Sequence, residues 1–546
     1  MSGAKKRQPD GKQGTGSPGE SGNKGGGKAG GSGKLIRGVG WNFVGMIAGA
    51  VAGFMSSVLL ARFLGSTEYG NLALTLSLLN ILVIITALGF DFTLNKYIPV
   101  LREKGEAHGI LPLVKNLLAI KSALGITLTV IIYFAADWLA NTLFGKPDLA
   151  FYFRVLTLLV IPGTLEPIFR GILTAFYLQK FINILDAASK MLYLILAAAV
   201  LILNYGVMGV LLATFVSQLV FVLMAAKRSM AAIPGGEGGE CPIPLGKILK
   251  FSFFLYMYSI MNFVLGQQLD LLMIGAMVPD IRQVAYYTIA YTFSYTALSL
   301  FSLVLGGGIT LTFFSELYAK KDYEGLRRGY TVMFEYLFVY IIPIGVAGTI
   351  MAGEILKLLF GDGYVGWMPL MLLTLYFPTM AIMKLGGITA TFMSAMDQEK
   401  LLVVSRVIFG GSNIILNYLL IPYYGALGAL IGTVVASIIG YMYEATVVHR
   451  TLKPRYPVGF LVKMVFLSLA GGTLMAGLKY LLYPWATDIG GMTGAGIILA
   501  GAGLPGLCLM AVLFVALKPL SRETVDVIGK IPLPLKRFII RLIKKN

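Results

Sequence analysis

The chain has 546 residues, 57% of them hydrophobic and 13% charged, with a mean hydropathy of +0.79 and a formal net charge of +19. Those values exclude a water-soluble globular protein and leave room for many membrane spans. The basic excess is not gathered on a single-faced domain, so nucleic acid is not an expected partner.

Residues 1–34 are rich in Gly, Lys and Ser and nearly free of apolar side chains, which predicts a disordered basic arm. Apolar runs then recur, and their lengths predict fourteen spans: 39–61, 72–95, 116–136, 151–176, 181–203, 206–226, 251–277, 284–312, 329–352, 367–393, 401–421, 426–448, 459–482 and 494–517. With the N-terminus inside, cytoplasmic segments hold 33 of the 45 Lys and Arg, which orients the chain with both ends in the cytoplasm. The tail from Leu533, LPLKRFIIRLIKKN, suits a short helix on an anionic inner leaflet or a plain stop-transfer end. Cys241 and Cys508 lie far apart, as do His108 and His449, so neither a structural disulfide, a metal site nor a cofactor is expected.

A block repeats 216 positions later. Leu143-Phe144-Gly145 returns as Leu359-Phe360-Gly361, Pro162 as Pro378, Gly171-Ile172 as Gly387-Ile388, and Ser189-Lys190 as Ser405-Arg406. After a small slip, Tyr205-Gly206 and Gly209 match Tyr424-Gly425 and Gly428. Six spans per half make the repeat parallel, an arrangement that places transporter sites at a midline interface. The predicted organisation is an arm over 1–34, a first lobe over 35–228, a linker over 229–250, a second lobe over 251–450, two extra helices over 451–520 and a basic tail over 521–546. The fold class is thus an all-α polytopic membrane protein of two six-helix lobes plus two helices. Pro162 and Pro378 are candidate hinges, since each removes a backbone bond in mid-span.

Ionisable side chains at membrane depth are costly, so they face water or a partner. Five cations stand there: Lys121, Arg170, Lys190, Lys384 and Arg406. Spacing pairs Glu166 with Arg170 and Asp186 with Lys190, each one turn apart. Lys384 and Arg406 have no acid within four residues, so they need a distant acid, water or an anionic ligand. The five cations are therefore candidate ligands for a phosphate, with Lys190 and Arg406 approaching across the lobe interface. Asp91, Asp270, Glu166, Glu335 and Arg62 are candidates for coupling or gating, Asp270 at a cavity rim. No P-loop, HExxH or nucleophile elbow occurs, so an enzyme is not expected.

Several stretches together resemble a known family. Leu60-Ala61-Arg62-Phe63-Leu64-Gly65-Ser66-Thr67-Glu68-Tyr69-Gly70 resembles the loop after the first helix of polysaccharide transporters, and Leu88-Gly89-Phe90-Asp91 through Pro99 the end of their second helix. Asp270 to Gly275, Val284 to Tyr287, and Asn417 to Pro422 with Tyr424-Gly425, Gly428-Ala429 and Thr433 are similar to segments of their second lobe. The resemblance is to the polysaccharide transporter branch of the multidrug/oligosaccharidyl-lipid/polysaccharide (MOP) flippase superfamily. It implies a central cavity, alternating access in the cell membrane, and a polyprenyl-(di)phosphate-linked oligosaccharide as substrate. Membrane lipids, a coupling Na⁺ or H⁺ and action as a monomer complete the expectation. Three alternatives stand beside it. A cation-coupled multidrug antiporter would carry a coupling acid in its first-lobe helices and bind cationic drugs, whereas span 1 here has no acid and unpaired cations disfavour such substrates. A lipid II-type flippase would carry an arginine in its first helix, where this chain has Asn42. A non-transporting envelope scaffold would seal its cations inside the protein.

Overall fold

The computed structural model describes residues 29–234, 241–264, 266–302, 308–521 and 523–524, and its compact unit runs from Gly45 to Asn546. Among the described residues all regular structure is helical. The expected arm over 1–28 and most of the tail from 525 onward lie outside them. Residues 29–34 are the first turns of a helix, a departure from the expected disorder. Once an apolar span has nucleated a helix, each added residue gains a backbone bond.

The first lobe comprises α1 (Ala29–Ala87), α2 (Phe90–Glu103), α3 (Ile110–Trp138), α4 (Leu149–Ala175), α5 (Gln179–Ile202) and α6 (Gly206–Ala232). The second comprises α7 (Leu245–Val264), α8 (Gln267–Met277), α9 (Arg282–Ser302), α10 (Gly308–Ala319), α11 (Tyr323–Ile350), α12 (Ala352–Phe360), α13 (Trp367–Ala395), α14 (Glu399–Tyr424) and α15 (Ala426–Leu452). After them come α16 (Val458–Ile489), α17 (Gly491–Ile498) and α18 (Leu504–Leu517), packed with part of α11 around Met464, Met475 and Met510.

Eleven described helices are long and apolar enough to cross a membrane, against fourteen predicted spans. One of them, Gly49–Glu103, contains the second predicted span and the greater part of the first. It turns at Gly65, whose φ of 74° suits only glycine, and again at Leu88 and Gly89, with φ of 49° and 69°. The predicted span 251–277 is built from two shorter helices, α7 and α8, and the described helices within 284–312 are α9 and α10. Gly266, in extended backbone, stands before α8. Pro162 and Pro378 both lie inside continuous helices, Pro162 buried and Pro378 exposed.

The lobes share one apolar core in the half of the protein that holds the turn at Gly65. Leu60, Leu72, Leu74 and Phe153 of the first lobe belong to the same cluster as Leu271, Tyr287, Phe360 and Tyr364 of the second. In the other half the first lobe has its own core around Phe90, Leu117, Phe169 and Phe221, which the start of α7 covers. At the Gly65 end, side chains of each lobe donate to backbone carbonyls of the other. The Tyr364 hydroxyl donates to the Ala61 carbonyl at 3.1 Å, and the Lys146 ammonium donates to the Gly275 and Val278 carbonyls at 2.7 and 2.9 Å. Lys146 thus meets the negative end of the α8 dipole. Burial pulls its pKa below the ordinary lysine range, with the Asp280 carboxylate opposing that shift.

Two glycines permit this approach. A Cβ on Gly70 would sit 2.4 Å from the Ile281 carbonyl oxygen, and one on Gly275 would sit 2.4 Å from Leu74 Cδ1. Gly70 faces backbone, which cannot swing aside. Gly70→Leu is therefore expected to wedge this closure at an overpacking cost of ~1–3 kcal/mol. The check is the labelling rate of a cysteine placed at Tyr364 by a water-soluble thiol reagent. Faster labelling in Gly70→Leu is expected, and an unchanged rate would contradict the closure.

Candidate functional site

The cost of charge in hydrocarbon sorts the predicted site residues into pairs, sealed groups and free groups. Glu166 and Arg170 pair as their spacing predicts, at 2.8 Å. Asp186 does not take Lys190. It binds the same Arg170 guanidinium, with its other oxygen 2.9 Å from Nη1, because a planar fork answers two carboxylates where an ammonium on its own helix would answer one. The Phe221 ring covers the Arg170 guanidinium, 4.3 Å away. Lys190 is consequently left exposed, its ammonium beside Gly49 of α1, and no carboxylate among the described residues forms an ion pair with it.

Arg406 corrects the expectation that it lacks an acid. It pairs at 3.4 Å with Glu444 of α15, a carboxylate 2% exposed that also accepts from Thr389 at 2.6 Å and Ser405 at 2.7 Å. A search within four residues cannot find Glu444, because the partner comes from the neighbouring helix. The repeat shows why the two lobes differ. With the offset of 219 that matches Gly209 to Gly428, the place of Glu444 in the first lobe is taken by Ala225. The expected approach of Lys190 to Arg406 is thereby corrected: the charge of Arg406 is already answered inside its own lobe.

Lys384 is half-buried. Its ammonium donates to the Ser299 hydroxyl at 2.9 Å and lies 4.9 Å from the Tyr295 ring, with no carboxylate in an ion pair among the described residues. Lys121 departs from the cavity role. It is fully buried in the first lobe with no hydrogen-bond partner for its ammonium, and Asp91, in the first turn of α2, is the charge that acts on it. Arg62 is exposed and reaches across the lobes to the Leu358 carbonyl at 3.4 Å and to the Met492 sulfur. Glu335 is 2% exposed and accepts from the Ser521 backbone and hydroxyl at 3.0 and 2.9 Å, which makes it an anchor for the segment after α18.

Asp270 is not at a rim. It is 3% exposed, at the meeting of α8, α9, α14 and α15. Its carboxylate accepts from Tyr287, from Asn417 at 2.6 Å and from Thr433 at 3.0 Å. Asn413 completes the group by donating to Thr433 at 3.0 Å and accepting from Asn417 at 3.2 Å. The Asn417 carbonyl oxygen is buried without a hydrogen-bond partner. A carboxylate ringed by amide and hydroxyl oxygens is chemically suited to a small hard cation or to a proton.

The Arg406–Glu444 pair generates a stability prediction. Arg406→Gln strands a buried carboxylate, which is expected to cost ~1–3 kcal/mol, less than a sealed pair because the Arg406 side chain is 23% exposed. Adding Glu444→Gln should recover most of that loss, read as the unfolding midpoint of the purified protein in detergent. Additive losses in the double variant would show that the pair is not coupled.

The geometry is matched by the comparisons. A family model described as polysaccharide biosynthesis protein matches residues 35–310, about half of the chain. An uncharacterized membrane protein of Methanocaldococcus jannaschii is 23% identical over 466 residues, covering 78% of this chain and 85% of that protein. The fold is similar to that of the lipid II flippase MurJ in an inward closed conformation, with a TM-score of 0.68, 15% identity, and 87% of this chain and 98% of that one covered. It is also similar to a multidrug resistance MATE family transporter of the MOP superfamily in an inward-facing conformation, with a TM-score of 0.58, 16% identity, and 74% and 95% covered. By the match over residues 35–310, the chain belongs to the polysaccharide biosynthesis protein family.

Proposed function

We propose that this member of a transporter family is a flippase that moves a polyprenyl-(di)phosphate-linked oligosaccharide from the cytoplasmic to the outer leaflet of the cell membrane. It does so by alternating access, in the assembly of surface glycan. The observation that carries this reading is the pair of membrane-depth cations without a carboxylate, Lys190 exposed in the first lobe and Lys384 half-buried in the second. A phosphate is the group such ammoniums hold best, and the bilayer is the natural solvent for a polyprenyl tail. The same two cations disfavour cationic drugs. The half that the charge distribution makes external is the closed one, so the substrate is taken from the cytoplasmic side.

Asp270 supports cation coupling. With its side-chain oxygens gathered inside the second lobe, Na⁺ or H⁺ binding there would bias the packing of α8 against α14 and α15. A ligand shifts such an equilibrium only by its difference in affinity between the two states.

Reconstitution in liposomes with a fluorescent polyprenyl-diphosphate oligosaccharide tests both parts. The protein should speed translocation, and Lys190→Gln should slow it by about ten-fold or more, one charge-assisted contact contributing ~1.5–3 kcal/mol. Asp270→Asn should remove the response to imposed Na⁺ or pH gradients. Translocation no faster than in empty liposomes would overturn the reading.

A further inference from the structure

The seam between α14 and α15 carries polar residues on one face of each helix. On α15 these are Thr433, Ser437, Tyr441 and Glu444, spaced by four, four and three residues, and on α14 they are Arg406, Asn413 and Asn417, spaced by seven and four. Those intervals keep each set in line along its helix. One end of the seam is the Asp270 cluster. The other is a small pocket lined among others by Gly386, Ser405, Arg406, Ser437, Gly440 and Glu444. Ser437 lies in the pocket wall and one helical turn from Thr433, whose hydroxyl donates to Asp270. Two polar atoms on this line are buried without a hydrogen-bond partner, the Ser437 hydroxyl and the Asn417 carbonyl oxygen. An orphaned buried oxygen costs free energy unless something visits it.

The first lobe keeps only part of this line. At the offset of 219, Thr433 and Ser437 correspond to the polar Thr214 and Gln218, but Tyr441 corresponds to Val222, Glu444 to Ala225 and Asn417 to Ala198. The acid at one end of the seam and the amide at the other are thus found in the second half of the repeat, which points to a task of that half.

We propose that this seam is the route by which a small monovalent cation, a sodium ion or a proton, passes between the pocket at Glu444 and the buried Asp270 carboxylate. This rests on the reading of Asp270 as the coupling site. Glu444 receives the cation, and Ser437 and the Thr433–Asn413–Asn417 group relay it. Arg406 is the competing charge: while paired with Glu444 it closes the mouth, and its partial exposure gives it water to move into. In the charge-derived topology the pocket end of the seam is cytoplasmic, since α14 begins and α15 ends there.

The test is the reactivity of Ser437→Cys in the full chain with Cys241 and Cys508 replaced by serine, using 2-aminoethyl methanethiosulfonate on oriented membrane vesicles. Labelling from the cytoplasmic face is expected, faster when Arg406→Gln is added. At fixed pH, replacing choline by sodium should slow labelling by about an order of magnitude at ten times the sodium Kd, and Asp270→Asn should remove that protection. Sodium protection assigns the sodium ion. Labelling without it, but with a pH dependence that Asp270→Asn or Glu444→Gln shifts, assigns the proton. A Ser437→Cys protein that translocates substrate yet is not labelled overturns the route, and so does labelling indifferent to both Asp270→Asn and Glu444→Gln. Failure of the coupling reading itself would look different: labelling would persist while the gradient response of translocation ignored Asp270→Asn.

Discussion

A charge held at membrane depth must be answered, and this constraint arranges the interior of the protein. Five cations enter the bilayer region, and each is treated differently. Arg170 is shared by two carboxylates, Arg406 has one from the next helix, and Lys121 is sealed near Asp91. Lys190 and Lys384 alone among the five are at least partly exposed with no carboxylate in an ion pair among the described residues. Answering a cation by a neighbouring acid fixes structure. Leaving it without one keeps its charge available to a ligand.

The two lobes begin from the same block of sequence and diverge through a few substitutions along one helix. Ser189-Lys190 and Ser405-Arg406 are equivalent, but Ala225 stands where the second lobe has Glu444. One lobe thereby gains an exposed ammonium, and the other gains an internal ion pair beside a polar seam that ends at Asp270. Cations without a carboxylate then stand in both lobes, Lys190 in the first and Lys384 in the second, while the Asp270 group belongs to the second alone.

The all-helical fold and most of the spans were legible in the sequence because apolar length reports them directly, and the family was legible through the stretches that resemble it. The break in span 251–277 was not, because its composition is that of one helix. The Glu166–Arg170 pair was legible because both residues sit on one helix. Glu444 was missed because its partners come from α13 and α14, although an acid in the middle of an apolar run was itself a signal. Asp270 was read as a rim acid from its place in the span. Its burial follows from Asn417 and Thr433, which lie 147 and 163 positions away. Asn417 and Thr433 were quoted for the family resemblance, and their role as partners of a carboxylate appears only in three dimensions.

The claim on which the functional account turns is that Lys190 and Lys384 are kept free to hold a phosphate. Calorimetric binding of a short-chain prenyl-diphosphate oligosaccharide to the purified protein tests it most directly, with the same oligosaccharide lacking the diphosphate as the comparison. The account predicts binding that needs the diphosphate, weakens with added salt, and loses about ten-fold in affinity for each of Lys190→Gln and Lys384→Gln. Equal affinity for the two ligands, or undiminished affinity in the double variant, would contradict it.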